Sequence, residues 1–361
     1  MRSRLILALM STILFLSGCA VQMTENQELE GPPSAKPELV AENLDIPWEI
    51  RSLPDGDILV TERPGTLLHI SEDSEERIEV EGVRHVGEGG LLGMALHPDF
   101  EQNRWLYLYM TTEAEEGTSN RVERYTYSSE KSLSNRTTII TGIPGARYHD
   151  GGRIEFGPDR YLYITTGDAG DAADAQDRDS LAGKILRIKD DGSIPEDNPF
   201  GTAVYSFGHR NPQGLAWDSE GRLWSTEHGR SGIRSGFDEL NLIENGKNYG
   251  WPIMQGSEKQ ESMVLPIVHS GPDYTWAPAS AAHWNGSIFF GGLRGSALYE
   301  IRIDDTDTII RHLEGQYGRI RAVRLGHDGH LYFSTSNTDG RGRPYEGDDK
   351  ILRIDPKKLQ R

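Results

Sequence analysis

Three short stretches combine residues that move protons or grip anions with glycines that let a ligand approach closely. In Tyr148-His149-Asp150-Gly151-Gly152-Arg153 a histidine stands in a glycine-rich loop, and Gly167-Asp168 follows one short strand later. Histidine accepts protons near neutral pH, and a carboxylate on its other ring nitrogen orients and tunes it. His149 with Asp168 is therefore a candidate general-base pair; the plainer alternative is a histidine closing a tight turn. In Gly208-His209-Arg210-Asn211-Pro212-Gln213-Gly214, followed by Glu227-His228-Gly229, Arg210 is suited to stabilise an oxyanion or simply to pair with an acid. In Gly318-Arg319-Ile320-Arg321 the two arginines alternate along a strand and so share a face, and Arg294 follows another strand in Gly292-Leu293-Arg294-Gly295. Gathering Arg210, Arg294, Arg319 and Arg321 in a chain of net charge −18 implies a polyanionic ligand.

Two other features read as structural. Asp168, Asp171, Asp174, Asp177 and Asp179 form a dense acidic loop, but their spacing does not match a helix–loop–helix calcium site, so a solvated loop is expected. His97-Pro98-Asp99-Phe100 reads as a turn.

The elements that must position these residues recur. A turn with Gly, Asp or Asn leads into an apolar-aromatic strand, often ending in Ser or Thr, at Asp55, Asn103, Asp159, Glu220, Asn285 and Asp328. Each copy is followed by a second short strand: Thr66–Ile70, Arg121–Tyr127, Lys184–Ile188, Glu239–Ile243, Ala297–Ile303 and Ile351–Ile354. Strand pairs repeating every forty to sixty-five residues or so predict a β-propeller, here all-β, six-bladed, with four-stranded antiparallel blades. A β-sandwich is disfavoured by the length and regularity of the period. The segment near Leu39–Leu44 is expected to supply the outer strand locking the last blade to the first. Propellers carry function in the loops at one channel end, where the three stretches above fall.

Residues 1–18 read as a lipoprotein signal peptide. Arg2 and Arg4 precede an apolar run from Leu5 to Leu16, and Ser17-Gly18 lead to Cys19, the chain's single cysteine. The run is too short to span a bilayer, which needs about 20 residues. Lipidation at Cys19 leaves no thiol for a disulfide or metal site. Residues 19–38, polar and proline-containing, read as a flexible tether, and 39–361 as one propeller domain. The expected location is outside the cytoplasm, anchored at the membrane's outer face or in the cell envelope. The acidic balance argues against nucleic acid as partner and leaves membrane contact to the lipid alone.

Taken in order, GEGGLLGMALHPDF at Gly87, YHDGGRIEFGPDRYLYITTGD at Tyr148, AGKILRIKDDGSIPEDNPF at Ala182, GHRNPQGLAW at Gly208, EHG at Glu227, DELNLIENGKNYGWP at Asp238 and GRIRAVRLGHDGHLY at Gly318 carry a resemblance. From Leu39 to Ile354 the chain resembles the soluble sugar dehydrogenases that depend on pyrroloquinoline quinone, most closely the aldose branch. The resemblance implies a six-bladed propeller that oxidises aldoses at C1 to lactones, passing hydride to the quinone and electrons to an external acceptor. It implies His149 as the base at the C1 hydroxyl, Asp168 as its supporting carboxylate, and Arg210 beside the reacting carbonyl. Asn211, His228, Arg294, Arg319 and Arg321 fall on cofactor-binding positions, and Glu88 and Tyr148 on substrate positions. Ca²⁺ as Lewis acid is implied at the carbonyls of Gly229 and Arg230, and a second, structural Ca²⁺ at Glu239 and the Tyr249 carbonyl. Glu88 stands where glutamine is usual, Arg294 replaces a lysine, and the Gly229–Phe237 loop is long, with Arg230 where proline is common. The long insertions of the glucose-specialised branch are missing, which implies an open cleft, broad aldose specificity and a monomer.

Two other functions compete. A non-catalytic cell-surface propeller would share the fold without the chemistry. A calcium-dependent propeller lactonase would need several carboxylate or amide side chains converging on a central metal.

Overall fold

The computed structural model describes residues 27–30, 36–232 and 235–360. The expected signal peptide and Cys19 lie outside them. Six sheets form a six-bladed propeller with a single short α-helix, Phe100–Asn103, among the described residues. Blade one comprises Pro47–Ser52, Ile58–Glu62, Thr66–Ile70 and Glu75–Glu79, and blade two Leu91–Leu96, Trp105–Glu113, Thr118–Tyr127 and Leu133–Gly145. Blade three comprises Ile154–Phe156, Leu162–Thr166, Lys184–Ile188 and Val204–Phe207, and blade four Pro212–Trp217, Leu223–Glu227, Glu239–Ile243 and Val268–His269. Blade five comprises Pro278–Trp284, Ser287–Gly292, Leu298–Arg302 and Asp305–His312. Blade six takes Ile320–Leu325, Leu331–Thr335 and Ile351–Ile354, and is completed by Glu38–Ala41, paired antiparallel through Glu38 with Arg353 and Leu39 with Leu352. The expected locking strand is thus present. Within the expected tether, Gln27–Glu30 adds a parallel strand to the outer edge of blade five.

The recurring phrase identified in the sequence is the second strand of each blade. Ile58–Glu62, Leu162–Thr166, Leu223–Glu227, Ser287–Gly292 and Leu331–Thr335 are buried on both faces, because each blade is packed between two others. That environment selects the β-branched and aromatic residues they contain. Among the described residues the core is divided into six apolar clusters, each between two neighbouring blades, as where Leu59 and Leu67 of blade one meet Leu106 and Leu108 of blade two. At the rim, Glu75, Glu76 and Glu79 put charge on the exposed edge of blade one, which opposes edge-to-edge pairing with another chain.

The axis is closed by ions. Glu49, fully buried on blade one's inner strand, accepts Nε and Nη2 of Arg324 from blade six at 2.7 and 2.6 Å and an Nη1 hydrogen bond from Arg153 beside blade three. Arg51 and Arg324 also hold Glu155 of blade three, at 2.6 and 2.9 Å. Arg153 lies 4.0 Å over the Trp48 ring and donates Nε to the Gln213 carbonyl of blade four at 2.9 Å. One carboxylate on the axis therefore ties blades one, three and six together.

Candidate active site

Each inner strand begins beside the end of its blade's second strand, as in the pairs Pro47–Glu62, Pro212–Glu227 and Ile320–Thr335. Loops that enter inner strands and loops that leave second strands therefore share one end of the propeller. Five of the six inner strands carry a register shift within their first residues there. Such bulges re-aim side chains at a rim.

His149, in the loop entering blade three, has a left-handed φ of 65°. Its N–H donates to Glu88 Oε2 at 2.9 Å, and its carbonyl packs so tightly on Gly167 that a Cβ there would stand 1.9 Å away. Only glycine permits that approach. His149 Nδ1 lies 2.7 Å from Asp168 Oδ1. A carboxylate only accepts, so Nδ1 carries the hydrogen and Nε2 the lone pair. Asp168 is buried and also accepts Trp251 Nε1 and the Gly170 N–H, each at 2.9 Å. Burial pushes its carboxyl up, but the hydrogen bonds from His149, Gly170 and Trp251 prevail and hold it below the usual value.

Arg210 enters the same space from the loop before blade four. Its carbonyl accepts the Asp168 N–H at 2.7 Å, its own N–H donates to Glu227 Oε1, and Glu227 Oε2 meets His209 Nδ1 at 2.8 Å. The guanidinium donates to Ser231 Oγ at 2.8 Å and sits 5.3 Å over Trp251. Asn211 is buried, with its Oδ1 taken by the Gly151 N–H at 3.0 Å. His228 leaves Nε2 buried without a hydrogen-bond partner, and burial pushes its pKa down to about 3, so it is neutral at physiological pH.

The cations divide. Arg321 is 4% exposed, donates to Gln213 Oε1 at 3.2 Å, and forms no ion pair among the described residues. Burial, and next Arg63, push its pKa down to about 9. Arg319 is paired with Asp339 at 2.8 Å and donates to the Leu293 carbonyl at 3.2 Å. Arg294 is exposed at the rim, bonded to Ser235 Oγ at 2.8 Å. Beside them a cavity of about 430 Å³ is lined by Arg63, Glu88, Arg147, Tyr148, Asp339 and Arg341, among others. Glu88 Oε1 accepts Arg341 Nη1 at 2.6 Å, and Tyr148, 46% exposed, lies 5.6 Å beneath the Arg341 guanidinium. Arg63, Trp251, Asp339 and Arg341 had not been singled out from the sequence. Arg63 was within reach of the repeat, because it follows its second strand as His228 follows its own.

Gly229, Arg230, Glu239 and Tyr249 line one small cavity of about 20 Å³, large enough for a single water or cation. The Gly229 N–H donates to Asp238 Oδ1 at 2.8 Å, and the Arg230 carbonyl already accepts the Gly236 N–H at 3.2 Å. Burial and the nearby Glu227 push Glu239 up to about 8. Asn241 Oδ1 and Gln255 Oε1 are buried without partners. A carboxylate made costly by burial beside two unsatisfied amide oxygens is a donor set suited to a hard cation. No group of three or more His, Cys, Asp or Glu side chains has metal-holding geometry among the described residues, so such a site depends on amide and carbonyl oxygens. The acidic loop holds no such cluster: Asp171, Asp177 and Asp179 are exposed. His97 closes its turn by accepting the Asp99 N–H at 3.0 Å.

Residues 44–352 match the family model described as Glucose / Sorbosone dehydrogenase. Aldose sugar dehydrogenase YliI of Escherichia coli is 30% identical over 362 residues, covering 90% of this chain and 94% of that protein. The solved PQQ-bound form of aldose sugar dehydrogenase from Streptomyces coelicolor superposes with a TM-score of 0.82 at 40% identity, covering 90% of this chain and 99% of that one. Human hedgehog-interacting protein is 32% identical over 252 residues, 60% of this chain but only 33% of its own length. With the match spanning all six blades, the chain belongs to the glucose/sorbosone dehydrogenase family.

Proposed function

We propose that this protein is a dehydrogenase dependent on pyrroloquinoline quinone that oxidises aldoses at C1 to lactones. The carrying observation is His149, locked through Nδ1 onto buried Asp168, together with a buried Arg321 that forms no ion pair among the described residues. The first supplies a base with Nε2 available, and the second supplies positive charge awaiting an anion. The residues fit the quinone: Arg319 and Arg321, with Arg294 at the rim, would hold its carboxylates, and Asn211 and His228 would line its bed. Buried Nε2 of His228, neutral and without a partner, is the kind of polar atom a bound ligand satisfies.

Glu88 and Tyr148 seat the aldose, and His149 Nε2 takes the C1 hydroxyl proton. Asp168 balances the charge the imidazole gains. Arg210 is held against Trp251 where it stabilises negative oxygen. When bound, the quinone supplies the acceptor for the hydride leaving C1, and Ca²⁺ at the Gly229 and Arg230 carbonyls supplies the Lewis acid. An external acceptor then removes the electrons. The leader ending at Cys19 supports export with a lipid anchor.

The competing functions fit less well. A binding module has no need of a histidine tuned by a buried carboxylate. A lactonase needs free oxygen ligands on the axis, but Glu49 and Glu155 there are already bound by arginines. The test is reconstitution: quinone and Ca²⁺ are added to the apo-protein, then glucose, and bleaching of an artificial acceptor is followed. Saturable bleaching that needs both additions is expected, and failure to bind quinone under any condition would sink the proposal.

A second measurement addresses Glu239. Ca²⁺ is expected to raise the melting temperature over that in chelator, by the linkage of ligand binding to the folded state. Glu239→Gln should remove most of that rise. An undiminished rise in the variant takes Glu239 out of the ligand set.

A further inference from the structure

Arg63 stands immediately after blade one's second strand. It is only 4% exposed, and its backbone is fixed: its N–H donates to the Ile46 carbonyl at 3.1 Å, and its own carbonyl accepts the Leu91 N–H at 2.9 Å. Nε donates to His85 Nε2 at 3.2 Å. No carboxylate forms an ion pair with it among the described residues, although its side chain lines the cavity of about 430 Å³. The two acids of that cavity are already engaged, Glu88 by Arg341 at 2.6 Å and Asp339 by Arg319 at 2.8 Å. Arg63, Arg319 and Arg321 repel one another, and the carboxylates that act on Arg63 and Arg321, Asp339 and Glu88, are the two already engaged. Arg63 is, after burial, the largest influence depressing Arg321. Burying like charges together costs free energy unless an anion arrives to offset it.

We propose that Arg63 is a carboxylate-binding residue that completes, with Arg319 and Arg321, an anion site facing the cavity between the loops of blades one, two and six. The ligand is a carboxylate brought either by the quinone or by an acidic sugar. The identity of the ligand rests on the proposed function, while the anion site itself does not.

The test uses the full chain with Arg63→Gln and Arg63→Lys, both compared with the wild type by thermal melting. Calorimetric titration of quinone-free protein with benzene-1,3,5-tricarboxylate reads the site alone. Arg63→Gln should weaken binding about tenfold or more, since it loses a charge-assisted bidentate contact, and Arg63→Lys should fall between. Should Arg63→Gln not fold, the charge-conserving Arg63→Lys carries the comparison. Quinone titration and the glucuronate-to-glucose ratio of KM then separate the sources. Weakened quinone binding with an unchanged ratio assigns the quinone carboxylate, and unchanged quinone binding with a raised ratio assigns the sugar. Wild type that binds tricarboxylate but not quinone keeps the anion site and discards the dehydrogenase. Folded variants that match the wild type in all three measurements overturn the proposal.

Discussion

His149→Ala is expected to lower kcat for aldose oxidation by a factor of about 10² to 10⁴, the range supplied by a positioned general base. The ring is a proton acceptor held against a buried carboxylate, with Nδ1 fixed on Asp168 at 2.7 Å. The alanine also removes little structure. The left-handed backbone at residue 149 is held by its N–H on Glu88 and by the tight packing of its carbonyl on Gly167, neither of which involves the imidazole. Quinone affinity and melting temperature should therefore stay near wild type while turnover collapses. Asp168→Asn should cost less than His149→Ala, because the base remains but its favoured tautomer is lost. Titration of quinone beside steady-state rates decides the matter: turnover within tenfold of wild type in His149→Ala would remove the base assignment.

Glu49→Gln is expected to destabilise the fold by about 3–5 kcal/mol, the cost of removing one partner from a buried ion pair. Glu49 is the shared acceptor for Arg153 and Arg324, and Gln would leave Arg324 with Glu155 and Arg153 with no carboxylate among the described residues. Burial pushes the Glu49 carboxyl up, but Arg153, Arg324 and Arg51 outweigh it and hold it far below its ordinary value of 4.5. A depressed carboxylate contributes stability that is complete above the unfolded value and is lost as pH falls toward the folded one. The wild type should accordingly lose stability steeply on acidification below about pH 4.5, and Glu49→Gln should show a shallower acid arm from a lower plateau. Denaturant unfolding at several pH values reads both, and an unchanged acid arm would show that Glu49 is not the titrating group.

What the sequence disclosed follows from where each residue's environment repeats. Second and third strands are enclosed the same way in every blade, so Thr66–Ile70, Lys184–Ile188, Glu239–Ile243 and Ile351–Ile354 stand as read. Apart from the stretch at Arg319–Arg321, inner strands carry a weaker signal. Ile154–Phe156 is short, and Pro278–Trp284 is rich in small residues because little space remains near the axis. The site's local pairs were legible because the chain brings them together across one strand, as with His149 and Asp168. Contacts made across the ring were not. Arg341 meets Glu88 across 253 positions, and Arg324 meets Glu49 across 275, so no spacing rule announces them. Trp251 is a similar case: it reaches Asp168 from a loop 83 residues on, and nothing in its neighbourhood marks that end of the indole.

The seam in blade six sets an order on the protein's maturation. Glu38–Ala41 pairs with Ile351–Ile354, and Leu44 and Ala41 are buried with Ala322 and Ile351 in the cluster between blades six and one. Until residues 351–354 are available, that early strand has no partner and the first and last blades have no interface. Ring closure is therefore the most non-local event in the chain, and such contacts form slowly. The cavity shared by Arg63, Glu88 and Arg341 draws on both sides of that seam. The site cannot assemble on a partly made ring, so a chain still emerging from the ribosome holds the parts of a binding pocket without the pocket.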